Sequence, residues 1–136
     1  MSYIYLASPY THPDAAVRHA RYDAVTACAA ILMRAGCTVY SPITHSHRMA
    51  EAHNLPTDWG WWEPHCLTML NGARNLTILC LDGWSESVGI QAELAHAKNL
   101  QIAINYLAED FIERAKTSRL AQMAMLRDAR SVGAMA

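Results

Sequence analysis

The sequence predicts an α/β domain of three layers, a parallel sheet of four to five strands with helices on both faces. Three observations predict it. Short β-rich runs alternate with longer stretches of helical spacing. The segment Leu76 to Leu81 is almost wholly apolar, as expected for a strand covered on both faces. The chain opens β-α-β, a connection that favours parallel neighbours and a right-handed crossover.

Tyr3-Ile4-Tyr5-Leu6-Ala7, ended by Ser8-Pro9, reads as a buried first strand. Asp14 to Ala35 has helical spacing, with Ala16, Ala20, Ala24, Ala27, Ile31 and Met33 small or apolar. Pro13 is expected just inside that helix's start and Gly36 just past its end. Cys37 to Tyr40 is the second strand, stopped by Ser41-Pro42. The His-rich stretch Ile43 to Leu55 reads as an irregular or partly helical insert, and Thr57 or Asp58 caps a helix running to about Ala73. Leu76 to Leu81 is the third strand, Ser87 to Asn99 a helix, and Gln101 to Ile104 the fourth strand. Leu107 to about Arg130 is a long final helix, with Phe111, Ile112, Ala115, Leu120, Met123, Ala124 and Leu126 as its apolar stripe. The tail, Ser131 to Ala136, is expected to fray. Residues 1–136 thus form one flavodoxin/Rossmann-like domain with no internal repeat.

Composition excludes several function classes. A net charge of -1 argues against a nucleic-acid polymer or an anionic membrane surface as partner. No apolar run approaches the roughly 18–20 residues needed to span a bilayer. Met1-Ser2-Tyr3-Ile4 enters a strand at once, so no secretory leader is expected. The four cysteines, Cys28, Cys37, Cys66 and Cys80, include no CxxC pair, which leaves neither a zinc framework nor a disulfide framework. Cys28, Cys37 and Cys80 read as core thiols in a reducing compartment, and the expected location is cytoplasmic.

Ligands of such sheets bind beyond the carboxyl ends of the strands. Three loops meet there: Ala7 to His12, Ser41 to His47, and Asp82 to Gly89. The last of these opens a helix whose mouth holds Ser87 and Gly89 and whose second turn carries Glu93. A helix N-terminus offers unpaired N–H groups and a positive dipole end, a site for phosphate. A carboxylate one turn deeper then faces whatever carries that phosphate. Breaking an N-glycosidic bond builds positive charge on the sugar, and a carboxylate either stabilises it or forms a glycosyl ester that water opens.

Tyr5-Leu6-Ala7-Ser8-Pro9-Tyr10, together with Asp82-Gly83-Trp84 and the pattern Ser87-x-Gly89-x-x-x-Glu93-x-x-x-Ala97, resembles the nucleoside 2-deoxyribosyltransferase superfamily. The resemblance covers roughly residues 3 to 105 and is closest to the domain-of-unknown-function 1937 branch. It implies N-glycosidic chemistry on deoxyribonucleosides or their monophosphates, with Glu93 at the position of the attacking carboxylate. Many nucleoside-specific members have Asp where this chain has Ser87; a Ser there resembles the monophosphate hydrolases and implies a 5′-phosphate. The family pattern also implies an Asp on the preceding helix. Within Pro64 to Arg74 that position falls on Cys66, leaving His65 or Glu63 as substitutes for its acid-base work.

Other residues complete the expected site. Ser8 and Tyr10 offer hydroxyls to sugar or phosphate, and Tyr5 is either a ligand-stacking or a core aromatic. Arg18 and Arg21 share a helix face that reads first as a solvated one, with contact of one of them to a phosphate as the alternative. His45-x-His47, with Glu51 and His53 behind, invites a metal reading, but the preferred one is a loop over the pocket in which His45 or His47 donates hydrogen bonds. No metal and no organic cofactor is expected. Trp59, Trp61 and Trp62 stack on a nucleobase, fill a subunit interface or simply pack a short insert, and Trp84 walls the site.

The leading expectation is an N-glycosidase or deoxyribosyltransferase-like enzyme acting on a small-molecule nucleotide or nucleoside. Glu93 is its nucleophile, Ser87, Gly89 and Ser8 hold the phosphate or sugar, and Asp82 orients. The alternatives are a non-catalytic nucleotide-binding module and an NAD- or ADP-ribose-cleaving enzyme. The long final helix and the oligomers formed by related enzymes point to a homo-oligomer, at least a dimer.

Overall fold

A computed structural model describes residues 2–117. Its elements are β1 (Tyr3–Ala7), α1 (Ala15–Arg34), β2 (Val39–Tyr40), α2 (Pro42–His53), α3 (Trp59–Asn71), β3 (Ala73–Leu79), a 3-10 turn (Trp84–Glu86), α4 (Val88–Leu100), β4 (Ala103–Leu107) and α5 (Phe111–Thr117). The four strands are all parallel, in the order β2-β1-β3-β4. The chain leaves β1 toward β2 and returns to the other side of β1 as β3. The strand order therefore reverses between β1 and β3, and a crevice opens beyond their carboxyl ends.

Alternation along β1 and β3 builds two cores. Tyr5, Ala7, Leu76 and Ile78 pack on one face with Cys66 and Leu70 of α3 and Ile90, Leu94 and Ala97 of α4. Leu6 and Leu79 pack on the other with Val25, Cys28 and Ala29 of α1, Ile43 of α2 and Ile112 of α5. This is the expected three-layer α/β/α arrangement, with the sheet at the low end of the expected strand count. Among the described residues, no helix is long and apolar enough to cross a membrane.

Several boundaries differ from expectation, each for a local reason. Pro13 lies outside α1, because Asp14 is the N-cap and its carboxylate accepts from the Ala16 N–H at 2.8 Å. Gly36 does lie just past the helix end, at φ 96°. The His-rich insert is a regular helix. Ser41-Pro42, read as a strand stop, is also its start: Ser41 Oγ accepts from the Thr44 N–H at 3.1 Å and Pro42 occupies the first turn. Asn54, in the left-handed region at φ 56°, ends it.

β2 keeps only Val39 and Tyr40 of the expected four residues. Ala73 begins β3 rather than ending α3, and that strand starts three residues before Leu76. Gln101 caps α4 in the left-handed region at φ 59°, which delays β4 to Ala103. Leu107 is paired with Leu79 in the sheet, so the final helix starts at Phe111. Its expected course beyond Thr117 and the stripe residues Leu120, Met123, Ala124 and Leu126 lie outside the described residues.

Candidate active site

α4 begins at the crevice. Ser87 is its N-cap and its Oγ accepts from the Ile90 N–H at 3.3 Å. Glu93 follows one and a half turns on, facing the sheet, and is only 4% exposed. It faces that way because Ile90, Leu94 and Ala97 seat the same side of α4 on β1 and β3. A carboxylate in so apolar a place needs a partner. Tyr5, fully buried in β1, donates its hydroxyl proton to Glu93 Oε2.

Burial raises the Glu93 pKa to about 7, although the Tyr5 hydrogen bond pulls it down. The same burial, reinforced by the nearby Glu93 charge, pushes Tyr5 well up and Cys66 up to about 12. Both neighbours are therefore neutral at ordinary pH, and the carboxylate alone carries the titration near neutrality.

The cavity containing Glu93 has a volume of about 80 Å3. Ser8, Tyr10 and Thr11 wall it from the end of β1, Pro42, Ile43, Ser46 and Ala50 from α2, and Trp59, Trp62 and Cys66 from α3. Ser87, Gly89 and Ile90 form its α4 side. Ser8 is 6% exposed, and its Oγ has no hydrogen-bond partner among the described residues. An orphaned buried hydroxyl costs stability and is a ready donor for a ligand. The Trp59 indole packs closely against the first turn of α4: a Cβ on Gly89 would come within 2.9 Å of Trp59 Cε3. Glycine is what allows the indole to close that wall.

The cavity opens to an outer cleft of about 660 Å3. The two share Tyr10, Thr11, Trp59, Ser87 and Gly89, and Arg21 enters the outer one. The Arg21 guanidinium donates to three backbone carbonyls, those of Thr11 at 3.0 Å, Asp82 at 3.2 Å and Tyr10 at 3.3 Å. No carboxylate pairs with it among the described residues. Its charge and the N-terminal end of α4 bring positive potential to one side of the cleft, which the carboxylates of Asp58 and Glu86 also line. Gly83, at φ 86°, turns the loop between β3 and α4 around this guanidinium.

Of the sequence-predicted residues, Glu93, Ser8, Tyr10, Ser87 and Gly89 converge on the cavity. Tyr5 lies beneath it as a core aromatic that holds Glu93 instead of stacking on a ligand. Three others lie off the cavity wall. Asp82 is exposed and offers Arg21 its carbonyl. His65 is exposed on α3, with Nε2 2.9 Å from the Tyr40 hydroxyl. His45 is exposed and stacks on His65 at 5.9 Å and 4°. The histidine of this region that turns inward is His47, whose Nδ1 is 2.7 Å from the Tyr10 hydroxyl. Trp84 packs against Tyr106 instead of walling the cavity.

Sequence reasoning missed the α2 wall. Ile43, Ser46 and Ala50 fall three and four residues apart, and that face was hidden as long as Pro42–His53 was not read as a helix.

No curated protein matches the chain in sequence. A family defined only as a domain of unknown function, DUF1937, matches residues 2–109, which include every residue of the cavity and the cleft. The chain belongs to the DUF1937 family.

Proposed function

We propose that the protein cleaves the N-glycosidic bond of a nucleotide or nucleoside, as an N-glycosidase or a deoxyribosyltransferase-like enzyme, with Glu93 as nucleophile. The observation that carries this reading is a water-poor carboxylate, raised to about 7 and held by Tyr5, in a cavity next to the Arg21 guanidinium and the N-terminal end of α4. In the reaction, ionised Glu93 forms a bond to the anomeric carbon. The C–N bond breaks, and its electron pair leaves with the base, which takes up a proton. Water then opens the sugar–Glu93 ester, or a second base takes the sugar in transfer. A carboxylate surrounded by low-polarity groups attracts the developing sugar cation far more strongly than one in water.

The rest of the site supports a division of labour. Trp59 and Trp62 line the cavity with indoles, a side chain that stacks well on a nucleobase. Ser8 offers an unused hydroxyl, and Ser87, the first amides of α4 and Arg21 suit a 5′-phosphate. His65 and Asp82 have no part in this reading, because neither reaches the cavity. A homo-oligomer belongs to the same reading, supported by the exposed apolar groups Trp61, Val88 and Tyr106.

One observation favours a second reading, a nucleotide-binding module without turnover. Among the described residues lining the inner cavity, Glu93 is the one carboxylate, and Cys66 offers only a neutral thiol where a second acid would assist. A single experiment separates the readings. The protein is incubated with deoxynucleoside monophosphates, nucleosides and NAD, and released base is measured by chromatography. Base release that Glu93→Gln abolishes supports the enzyme, and the substrate identifies its class. Saturable binding with no released base supports the module instead.

A further inference from the structure

On the outer side of the cavity wall, α1 and α2 bring three metal-binding side chains together. We propose that His19, His47 and Glu51 form a site for a borderline divalent transition-metal ion of the Zn2+ type, clamping α1 to α2. Their donor atoms all lie within 4.8 Å of one another. His47 Nε2 is 3.1 Å from Glu51 Oε1, one helical turn away on α2. Two imidazoles and a carboxylate make a ligand set typical of Zn2+ with water in the fourth position. His19 and Glu51 are both exposed, so water has access and both side chains are free to close the last ångström around an ion.

A second observation points to a ligand here. His47 is 2% exposed, yet its Nε2 makes no hydrogen bond despite lying beside Glu51. Its other nitrogen, Nδ1, is fixed 2.7 Å from the Tyr10 hydroxyl, and the Tyr22 ring stacks on the imidazole at 4.4 Å. The Tyr10 contact accommodates either tautomer; in the one where Nδ1–H donates to Tyr10, Nε2 carries a free lone pair, the form in which an imidazole binds a metal ion. Metal-bound histidines regularly have their second nitrogen fixed in this way. Asp23 adds negative charge next to the site, with Oδ2 3.4 Å from His19 Nε2.

The ion would take no part in glycosidic chemistry, because its ligands do not line the cavity. It would hold His47, and through His47 the Tyr10 rim and the α2 wall formed by Ile43, Ser46 and Ala50.

The test is a Co2+ titration of the chelator-treated full chain, read by visible d–d absorption and calorimetry, followed by competition with Zn2+. One saturating equivalent is expected. His19→Ala and Glu51→Gln should each weaken it by more than about tenfold, the lower end of what loss of even an outer partner costs. Both residues are exposed, so these variants are expected to fold, with circular dichroism as the check. His53→Ala, on the same helix but outside the cluster, should bind like the parent. No binding, affinity unchanged in both variants, or a thiolate-to-Co2+ charge-transfer band would overturn the proposal.

Discussion

The Tyr5 hydroxyl donates to Glu93 Oε2 across 88 residues of chain, joining the middle of β1 to the second turn of α4 in the buried layer between them. This bond lowers the carboxyl pKa while burial raises it, and burial wins, to about 7. A nucleophile must be ionised, so base release should rise as pH increases through about 7 and be lost below it. Removing the donor leaves desolvation unopposed. Tyr5→Phe should therefore move the acidic limb of the kcat/KM profile to higher pH, while a purely structural role would lower the plateau and leave the limb in place.

The same group makes stability depend on pH. Its folded pKa, about 7, lies above the ordinary value of 4.5, so the folded chain binds the proton more tightly than the unfolded chain does. The stability this gives is fully present below 4.5 and is lost as pH rises through about 7. From the size of the shift the loss is up to about 3 kcal/mol. Urea denaturation at pH 5 and pH 8 should show it, and Glu93→Gln, which cannot ionise, should flatten the difference. An equal pH dependence in parent and variant would mean that Glu93 titrates near its ordinary value.

Much of this was legible in the sequence because local and global signals agree. The apolar runs of Tyr3–Ala7 and Leu76–Leu79, the cap at Thr57 or Asp58 and the helix opening at Ser87 name their elements without help, whereas the Asp14 cap was hidden behind Pro13, the more familiar sign of a helix start. Glu93 was legible by its spacing from Ser87. Tyr5 as its partner was not, since a hydrogen bond spanning 88 residues leaves no trace in local pattern. His45 and His47 were indistinguishable until the phase of α2 was known: two residues apart, they point to different sides of the helix, one into solvent and one inward. Asp82 and His65 sit beside the right segments and face the wrong way, which adjacency in sequence cannot reveal.

Gly89 should be sensitive to the smallest enlargement. An added Cβ meets Trp59 Cε3 at 2.9 Å, and the indole has to swing away from α4. In an exposed helix interior Gly→Ala gains about 1 kcal/mol. Here Gly89→Ala should instead raise KM and alter the tryptophan emission as the cavity wall shifts. The cause can be checked by a double-mutant cycle: in a Trp59→Leu background, where the obstacle is flexible, Gly89→Ala should do markedly less harm. Additive effects would place the damage elsewhere.

Arg21 should separate phosphorylated from unphosphorylated ligands. Its guanidinium is held by the carbonyls of Thr11, Asp82 and Tyr10, and it brings positive charge to the outer cleft beside Ser87 and the start of α4. Charge-assisted hydrogen bonds contribute about 1.5–3 kcal/mol, so Arg21→Ala should weaken a nucleoside monophosphate by roughly tenfold to a hundredfold. The variant also frees three carbonyls, and loosening of the loops would affect every ligand alike. The discriminating measurement is therefore the ratio of monophosphate to nucleoside affinity, taken at low and high salt. A ratio that collapses toward one in the variant, with the parent's ratio itself falling as salt screens the charge, assigns Arg21 to the phosphate. Equal losses for both ligands would make it a loop-positioning residue and leave the α4 N-terminus as the sole phosphate-binding element of the cleft.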